Sequence, residues 1–522
     1  MKRDHFQYVF VGTGVAGATV VRRLLAKDPG ASILMLEAGP VVKAKDRRYW
    51  WDHALFDRKP YDYCYDVPGE NTTVGDIHWG YEGARVMAYG GSTLHWGAWC
   101  VRYQPEDFHL FSNTGEGADW PIGYADLENY YAMAEDHLSV CGDVGESWNK
   151  HRAHQPYPRP DFGWMAADGA MIEGFKAVGI EPGKMPIARF RKCMTTGTCK
   201  YCPFGSRYTA QDALDELRDD ARHTGLEVRC LSPVTRLVVG GAKNKVEAIE
   251  VLDSQSGAVS RVTADTFIVC AGTYECAKLL MRSTSGHWPE GIGNDHDLVG
   301  RFIVSHSFLR VKGTFPKNPG HWLQEYDFPT LMSRSMDTPE QQKDGKVFLF
   351  KNRILPNVDI GQLMIDGKSR QQIIDILGGP MEQELQAFYE EKSQFRNRLT
   401  LKPGTNRFGL PLSRIDYLRD PRFAERATKR LEPMKKVLHA MDCQITAAKW
   451  DDPGGHHATG TCRMGKSPEE GVTDSNMRVF GTDNLFVCSN ATFPTCTAVN
   501  PTLTLTAMAM RLGDHLAGGP AS

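Results

Sequence analysis

Cys193, Cys199 and Cys202 fall within ten positions of one another in the stretch KCMTTGTCKYCPFGS, residues 192–206. Thiolates spaced C-x5-C-x2-C, with Pro203 directly after, can converge on an iron–sulfur cluster held in a short loop. Zinc is a second chemistry for the same residues, with Cys230 or a distant histidine completing a set of four. Unmetallated thiols packed in a loop are the third reading, because cysteine is among the most buried residue types. Near the N-terminus, Gly12-Thr-Gly14-Val-Ala-Gly17 is followed 20 residues later by Glu37. Glycines at this spacing let a backbone approach a pyrophosphate, and the carboxylate can accept ribose hydroxyls.

These groups act only if the elements around them hold them in place. The apolar run Tyr8–Val11 predicts a short strand, and Val20, Val21, Leu24 and Leu25 predict one face of the following helix. A second apolar run, Ile33–Leu36, ends at Glu37. Strand, glycine turn, helix and strand together place Gly12, Gly14, Gly17 and Glu37 at a dinucleotide site. Residues 266–269 predict a buried strand, closing in a small-residue turn at Ala271 and Gly272 that can pass close to the nucleotide; a helix follows through Leu279 and Leu280. Pro501 suits the start of a last helix, where its missing N–H costs nothing, so Asn500, Pro501 and Thr502 would face an anion or an electron-rich ring edge.

Composition bounds the rest. A chain of 522 residues holds two or three domains, and 41% hydrophobic with 24% charged residues describes an ordinary globular core. A net charge of −2 gives no reason to expect nucleic acid or an anionic membrane surface as partner. Thirteen irregularly spaced cysteines in a long chain favour reduced thiols over a disulfide framework. MKRDHFQ runs straight into the first strand, so no secretion leader is expected. The longest uncharged run, 484–510, carries Pro494, Pro501, Asn490 and Asn500, which argues against an integral membrane protein.

Three further segments carry a resemblance. Tyr89-Gly-Gly-Ser-Thr-Leu-His-Trp-Gly97, His456-His-Ala-Thr-Gly-Thr-Cys-Arg-Met-Gly465 and 472–506, with Val499-Asn-Pro-Thr-Leu-Thr504, resemble a glucose–methanol–choline (GMC) flavoprotein oxidoreductase. The likeness runs from the first strand to the last helix and is weakest between about 311 and 450. It implies an α/β fold: a discontinuous Rossmann-like FAD-binding domain, 1–310 and 451–522, beside an α+β substrate-binding domain, 311–450, built on a β-sheet. Segments 41–82 and 112–190 are expected to cover the flavin or join the substrate side. FAD follows from the resemblance, not from the glycine spacing. So do flavin contacts for the loop bearing Gly90, Gly91, Ser92 and His95. The intervening Leu94 departs from the Thr-His-Trp segment of pyranose oxidases, in which the histidine bonds covalently to the flavin.

The resemblance also assigns chemistry. His457 and Asn500 match the family's histidine–asparagine pair, with His457 the base for a substrate hydroxyl, Asn500 binding the same oxygen and His456 in a supporting role. The chain is similar both to bacterial sugar and glucoside 3-dehydrogenase subunits and to pyranose and glycoside oxidases. The expected substrate is therefore a sugar or glycoside, oxidised at a ring hydroxyl, C3 first. In the dehydrogenases a loop like 192–206 binds a [3Fe-4S] cluster, with a second gap one residue longer than here; Cys193, Cys199 and Cys202 are the ligands this implies. Such subunits join a small export-signal subunit and a cytochrome or other acceptor, so a lone chain would be cytoplasmic and a carried one periplasmic. The alternatives are an oxidase using O2 and an electron-relay subunit of a larger assembly. In the middle region Trp322, like Trp99 and Trp450, could stack on a sugar; Pro356-Asn-Val-Asp-Ile reads as a loop and 381–392 as an amphipathic, solvated helix.

Overall fold

A computed structural model describes residues 5–43, 51–52, 55–56, 58, 61, 64–81, 83–152, 155–189, 193, 202–242, 244–316, 326, 328–351 and 360–518. The strand His5–Val11 lies between Ile33–Leu36 and Val259–Val269, parallel to both. Leu226–Arg229 and Leu485–Val487 extend the parallel set at its two sides. Val234–Val239, Val246–Leu252 and the first half of Val259–Val269 form an antiparallel meander on the same seven-stranded sheet. Ile33–Leu36 is buried on both faces, which is why it is apolar throughout. Helices Val15–Lys27 and Thr502–Leu516 pack together, and Gly513 makes room: a Cβ there would meet Arg23 Cβ at 2.5 Å.

A second sheet is antiparallel and six-stranded, in the order Gln444–Asp451, Ser307–Phe315, Met381–Tyr389, Val347–Lys351, Leu331–Ser333 and Gly183–Lys184. Leu309, Val311, Leu385, Ala387 and Tyr389 bury one face with the helix Phe423–Ala440. Phe348, Phe350 and Phe388 on alternate positions join the core shared with the first sheet. The last strand is drawn from residues before 190, so the substrate side is not one continuous segment. Residues 398–417 also leave that side. As Arg398–Thr405 and Pro411–Tyr417 they form a three-stranded sheet with Asn71–Gly75.

The helix expected over 381–392 is instead the strand Met381–Tyr389, central in the second sheet. Its alternation is the reason: the apolar positions 385, 387 and 389 share one face, while Glu384 on the other is buried against Arg310 and Gln386. Glutamates that looked solvated are satisfied by sheet neighbours. Residues 352–359, which include most of the expected loop at Pro356, and Trp322 lie outside the described residues. Among the described residues no helix is long and apolar enough to cross a membrane.

Candidate active site

The glycine turn after the first strand opens onto a cavity of about 520 Å³. Gly12 has φ +107°, and a Cβ there would stand 2.6 Å from the Cys270 carbonyl oxygen, so only glycine lets the two strand ends meet. Glu37, at the end of Ile33–Leu36, accepts from the Thr13 hydroxyl (2.7 Å) and N–H (3.2 Å) and from the Gly39 N–H (3.0 Å). Burial raises its pKa, against the pull of those donors. The Thr13 hydroxyl also accepts from the Gly90 N–H at 3.2 Å, which docks the 89–97 loop on the glycine turn. Gly91, at φ +59°, completes that contact: a Cβ would lie 3.0 Å from Gly14 Cα.

The histidine loop is pinned to the helix that starts at the same cavity, Gly272–Arg282. Tyr274 donates its hydroxyl to the Gly455 carbonyl at 2.8 Å, and Thr273 donates to the Ala458 carbonyl at 2.6 Å. Gly455 has no room for a side chain, since a Cβ would sit 2.4 Å from the Gly80 carbonyl oxygen. A backbone bridge between Val304 and Thr459 then brings His306 to His457. The His306 Nε2 and His457 Nδ1 atoms are 2.6 Å apart, and Asn500 Nδ2 lies 3.2 Å from His457 Nε2. Phe388 stacks on His306 (ring centroids 4.1 Å apart) and stands edge-on to His457. With Trp96, Trp99 and Phe308 it gives the cavity an aromatic wall beside the histidine.

Both imidazoles are held neutral. Burial lowers His457 well below the ordinary histidine range, with the neighbouring His306 and His456 adding to the effect. Burial lowers His306 to about 4, partly offset by its bond to the Thr497 carbonyl. A base that starts unprotonated near neutral pH is what abstraction of an alcohol proton requires.

The same cavity is lined by Gly12, Gly14, Glu37, Gly91, Ser92, His95, Ala271, Gly272, His457, Asn500 and Thr502. Gly17, Gly90 and Pro501 stand behind this wall. Gly17 brings the first helix against the turn, a Cβ there meeting the Gly12 carbonyl oxygen at 2.7 Å, and Gly90 packs on Gln211. Pro501 caps the last helix. Exposed His456 also lines the cavity, so the two adjacent histidines share it. His95 Nδ1 is 3.1 Å from the Tyr65 hydroxyl. Trp99 is on the wall, whereas Trp450 packs edge-on to Phe423 beneath the second sheet.

Cys193 and Cys202 are half-buried, and Cys199 lies outside the described residues. Among the described residues no three His, Cys, Asp or Glu side chains converge as a metal site. Burial raises the Cys202 thiol pKa, but the N–H groups of Ser206 and Phe204, the Ser206 hydroxyl and the Arg207 charge outweigh it and leave it lowered. Arg207 donates to the Trp96 and Leu94 carbonyls, each at 2.6 Å, and so ties the end of the cysteine loop to the 89–97 loop.

Sequence reasoning did not reach His306, Thr13, Tyr274 or Asn490. A histidine in Val304-Ser-His-Ser-Phe308, an apolar strand start, was the available signal for the first. Asn490 and Asn500 both line the cavity, and each has a buried carbonyl oxygen without a donor among the described residues. Such acceptors fit a ligand bringing N–H and O–H donors, as a flavin ring and its ribityl chain do.

Comparison with known proteins places the chain in a family. Two GMC oxidoreductase family profiles match, the N-terminal one over residues 6–307 and the C-terminal one over 393–509. The chain is 26% identical to the fructose dehydrogenase large subunit of Gluconobacter japonicus, over 97% of each protein. It is 27% identical to 6'''-hydroxyparomomycin C oxidase of Streptomyces lividus, over 98% of this chain and 92% of that one. Among solved structures, pyridoxine 4-oxidase from Mesorbium loti has the same fold, with a TM-score of 0.68 at 20% identity over 99% of this chain and all of that one. Matched by both family profiles, the N-terminal one alone covering more than half of its length, the chain belongs to the GMC oxidoreductase family of FAD enzymes acting on CH–OH groups.

Proposed function

We propose that this enzyme oxidises a ring hydroxyl of a sugar or glycoside to a ketone, C3 before C2 or C1. His457 Nε2 takes the hydroxyl proton, and the Asn500 amide, 3.2 Å from that nitrogen, holds the same oxygen. This pair, set against the aromatic wall of Trp99, Phe308 and Phe388, is the observation that carries the reading. Aromatic rings give a pyranose an apolar face to rest on and turn one carbinol toward the base. Glu37, Thr13, Gly12 and Gly91 would hold the dinucleotide, and Asn490 would serve its hydroxyls or ring. Bound FAD supplies the acceptor for the carbinol hydride. Two relatives named for fructose and for 6'''-hydroxyparomomycin C support a polyhydroxylated substrate.

Electrons then leave to an external acceptor, and the cysteine loop is the exit this reading favours. Arg207 joins that loop to the wall of the cavity, and the lowered Cys202 thiol suits a thiolate ligand. A cluster on Cys193, Cys199 and Cys202 would supply one-electron transfer. Incubation with D-glucose, methyl β-D-glucopyranoside and a disaccharide, followed by product analysis, tests the reaction: 3-keto products are expected. A lactone from free glucose alone would reject ring-ketone formation. Iron and sulfide in protein purified without air test the exit; flavin bands alone, with hydrogen peroxide released on turnover, would make the enzyme an oxidase.

A further inference from the structure

His306 belongs to no motif that marks the site, yet it makes the shortest hydrogen bond to the base. It is 1% exposed, stacked on Phe388, and both of its ring nitrogens are engaged. Nδ1 faces the Thr497 carbonyl at 3.3 Å, and Nε2 faces His457 Nδ1 at 2.6 Å. A carbonyl oxygen can only accept, so the proton of neutral His306 sits on Nδ1 and its Nε2 is a bare acceptor. His457 must then carry its own proton on Nδ1, and its Nε2 is left as a lone pair. The Asn500 amide nitrogen, a donor, faces that lone pair, which agrees with the same assignment from the other side. Three contacts thus dictate one tautomer. A free imidazole prefers the opposite one, with the proton on Nε2, which would leave the base blocked.

We infer that His306 is a positioning residue and proton partner for His457, a second neutral imidazole in the place where a histidine base more often has a carboxylate. The inference rests on the reading of His457 as the base. When the substrate hydroxyl gives its proton to His457 Nε2, the Nδ1 proton of His457 can cross the 2.6 Å bond to His306 Nε2. The positive charge then lies on His306, whose Nδ1–H stays on the Thr497 carbonyl; two N–H bonds form, and one O–H and one N–H break. The groups facing the pair are His456 on the same loop, Cys496 and Thr497 from the segment before the last helix, and Phe308 and Phe388 from the second sheet. Glu390 and Glu391 act on Cys496 from the end of the strand beyond, and Cys496 stays a thiol, its pKa raised chiefly by burial. Among the described residues no carboxylate is hydrogen-bonded to either ring, so the relay ends at His306.

The test needs no substrate. In holoenzyme with [15N]histidine, two-bond 1H–15N spectra near pH 7 should show, besides His223, whose Nδ1 also faces a carbonyl at 2.9 Å, two rings protonated on Nδ1, one of which vanishes in His457→Gln and the other in His306→Gln. His306→Phe keeps the stack on Phe388 but has no acceptor, and should return His457 to the Nε2–H form. His306→Gln places an oxygen near the lost Nε2 and should keep His457 on Nδ1–H. A His457 that is Nε2–H in the wild type, or a tautomer unmoved by His306→Phe in protein that retains FAD and its melting temperature, would overturn the proposal. Kinetics give a second reading, with methyl β-D-glucopyranoside as reductant. His306→Phe should slow flavin reduction on the order of 10²-fold, within the range that positioned acid–base catalysis supplies, and His306→Gln much less. The solvent isotope effect should need two protons in the wild type and one in His306→Gln. Reduction lost in His457→Gln but untouched in His306→Phe would sink the relay alone; reduction untouched in both would sink the base assignment itself.

Discussion

Replacing Tyr274 with Phe tests how the helix Gly272–Arg282 holds the histidine loop. The Tyr274 hydroxyl accepts from the Trp79 indole N–H and donates to the Gly455 carbonyl, both at 2.8 Å, and both aromatic residues are buried. Removing that oxygen leaves a buried N–H and a buried carbonyl each short of a partner, at about 1–3 kcal/mol apiece. A destabilisation of about 2–6 kcal/mol, at roughly 1 °C per kcal/mol for a chain of this length, lowers the melting temperature by roughly 2–6 °C. Gly455 is two residues from His457, and the loop keeps the Gly455–Gly80 backbone bond, Thr273, the Ser305 hydroxyl on the Gly454 carbonyl and the Val304–Thr459 pairing. A loosened base should slow flavin reduction by roughly tenfold, equivalent to about 1.4 kcal/mol. Thermal unfolding of the holoprotein, followed by circular dichroism and by flavin release, measures the first effect, and anaerobic stopped flow the second. Adding Trp79→Phe removes the stranded donor, so the double variant should be about 1–2 kcal/mol better than the sum of the singles. Strict additivity, or a single variant with unchanged stability and rate, would refute the anchoring.

The remaining predictions follow from the cavity and its histidines. Gly12→Ala puts a methyl 2.6 Å from the Cys270 carbonyl oxygen at a φ of +107°, and the purified protein should lack FAD; full flavin occupancy would contradict the tight turn. Glu37→Gln turns one acceptor of the Thr13 and Gly39 bonds into a donor, and equilibrium dialysis should show FAD held roughly 5- to 150-fold more weakly, the equivalent of about 1–3 kcal/mol. Acid should destabilise the fold before the carboxylates titrate. His306 takes up its proton at about 4 when folded and near 6.5 when unfolded, so stability complete above pH 6.5 is lost as pH falls to 4, by about 3 kcal/mol. His457, and His137, which burial lowers to about 3, act in the same direction. A melting temperature level from pH 7 to 4.5, or as steep in His306→Gln as in the wild type, would oppose this.

The nucleotide half of the fold was legible because local rules and tertiary packing agree there. Gly12, Glu37 and Ile33–Leu36 sit in consecutive elements, and a turn this tight leaves no alternative to glycine. The substrate half was not, for two physical reasons. In Met381–Tyr389, Glu384 points to one face of a central strand and finds Arg310, a partner some 70 residues away, so acidity there did not mean exposure. The hairpin of 398–405 and 411–417 leaves the substrate sheet for Asn71–Gly75, a pairing over more than 300 positions that no local pattern announces. The site divides the same way. His457 and Asn500 stand in recognisable motifs, whereas His306 acquires its role only when Val304 and Thr459 pair, 155 residues apart.

The most direct test of the account is anaerobic reduction of the flavin in His457→Ala by D-glucose and methyl β-D-glucopyranoside. The account predicts a variant that keeps its FAD and its melting temperature while losing reduction by 10²- to 10⁴-fold, the range expected for a positioned base. Reduction at the wild-type rate, with FAD bound, would contradict it.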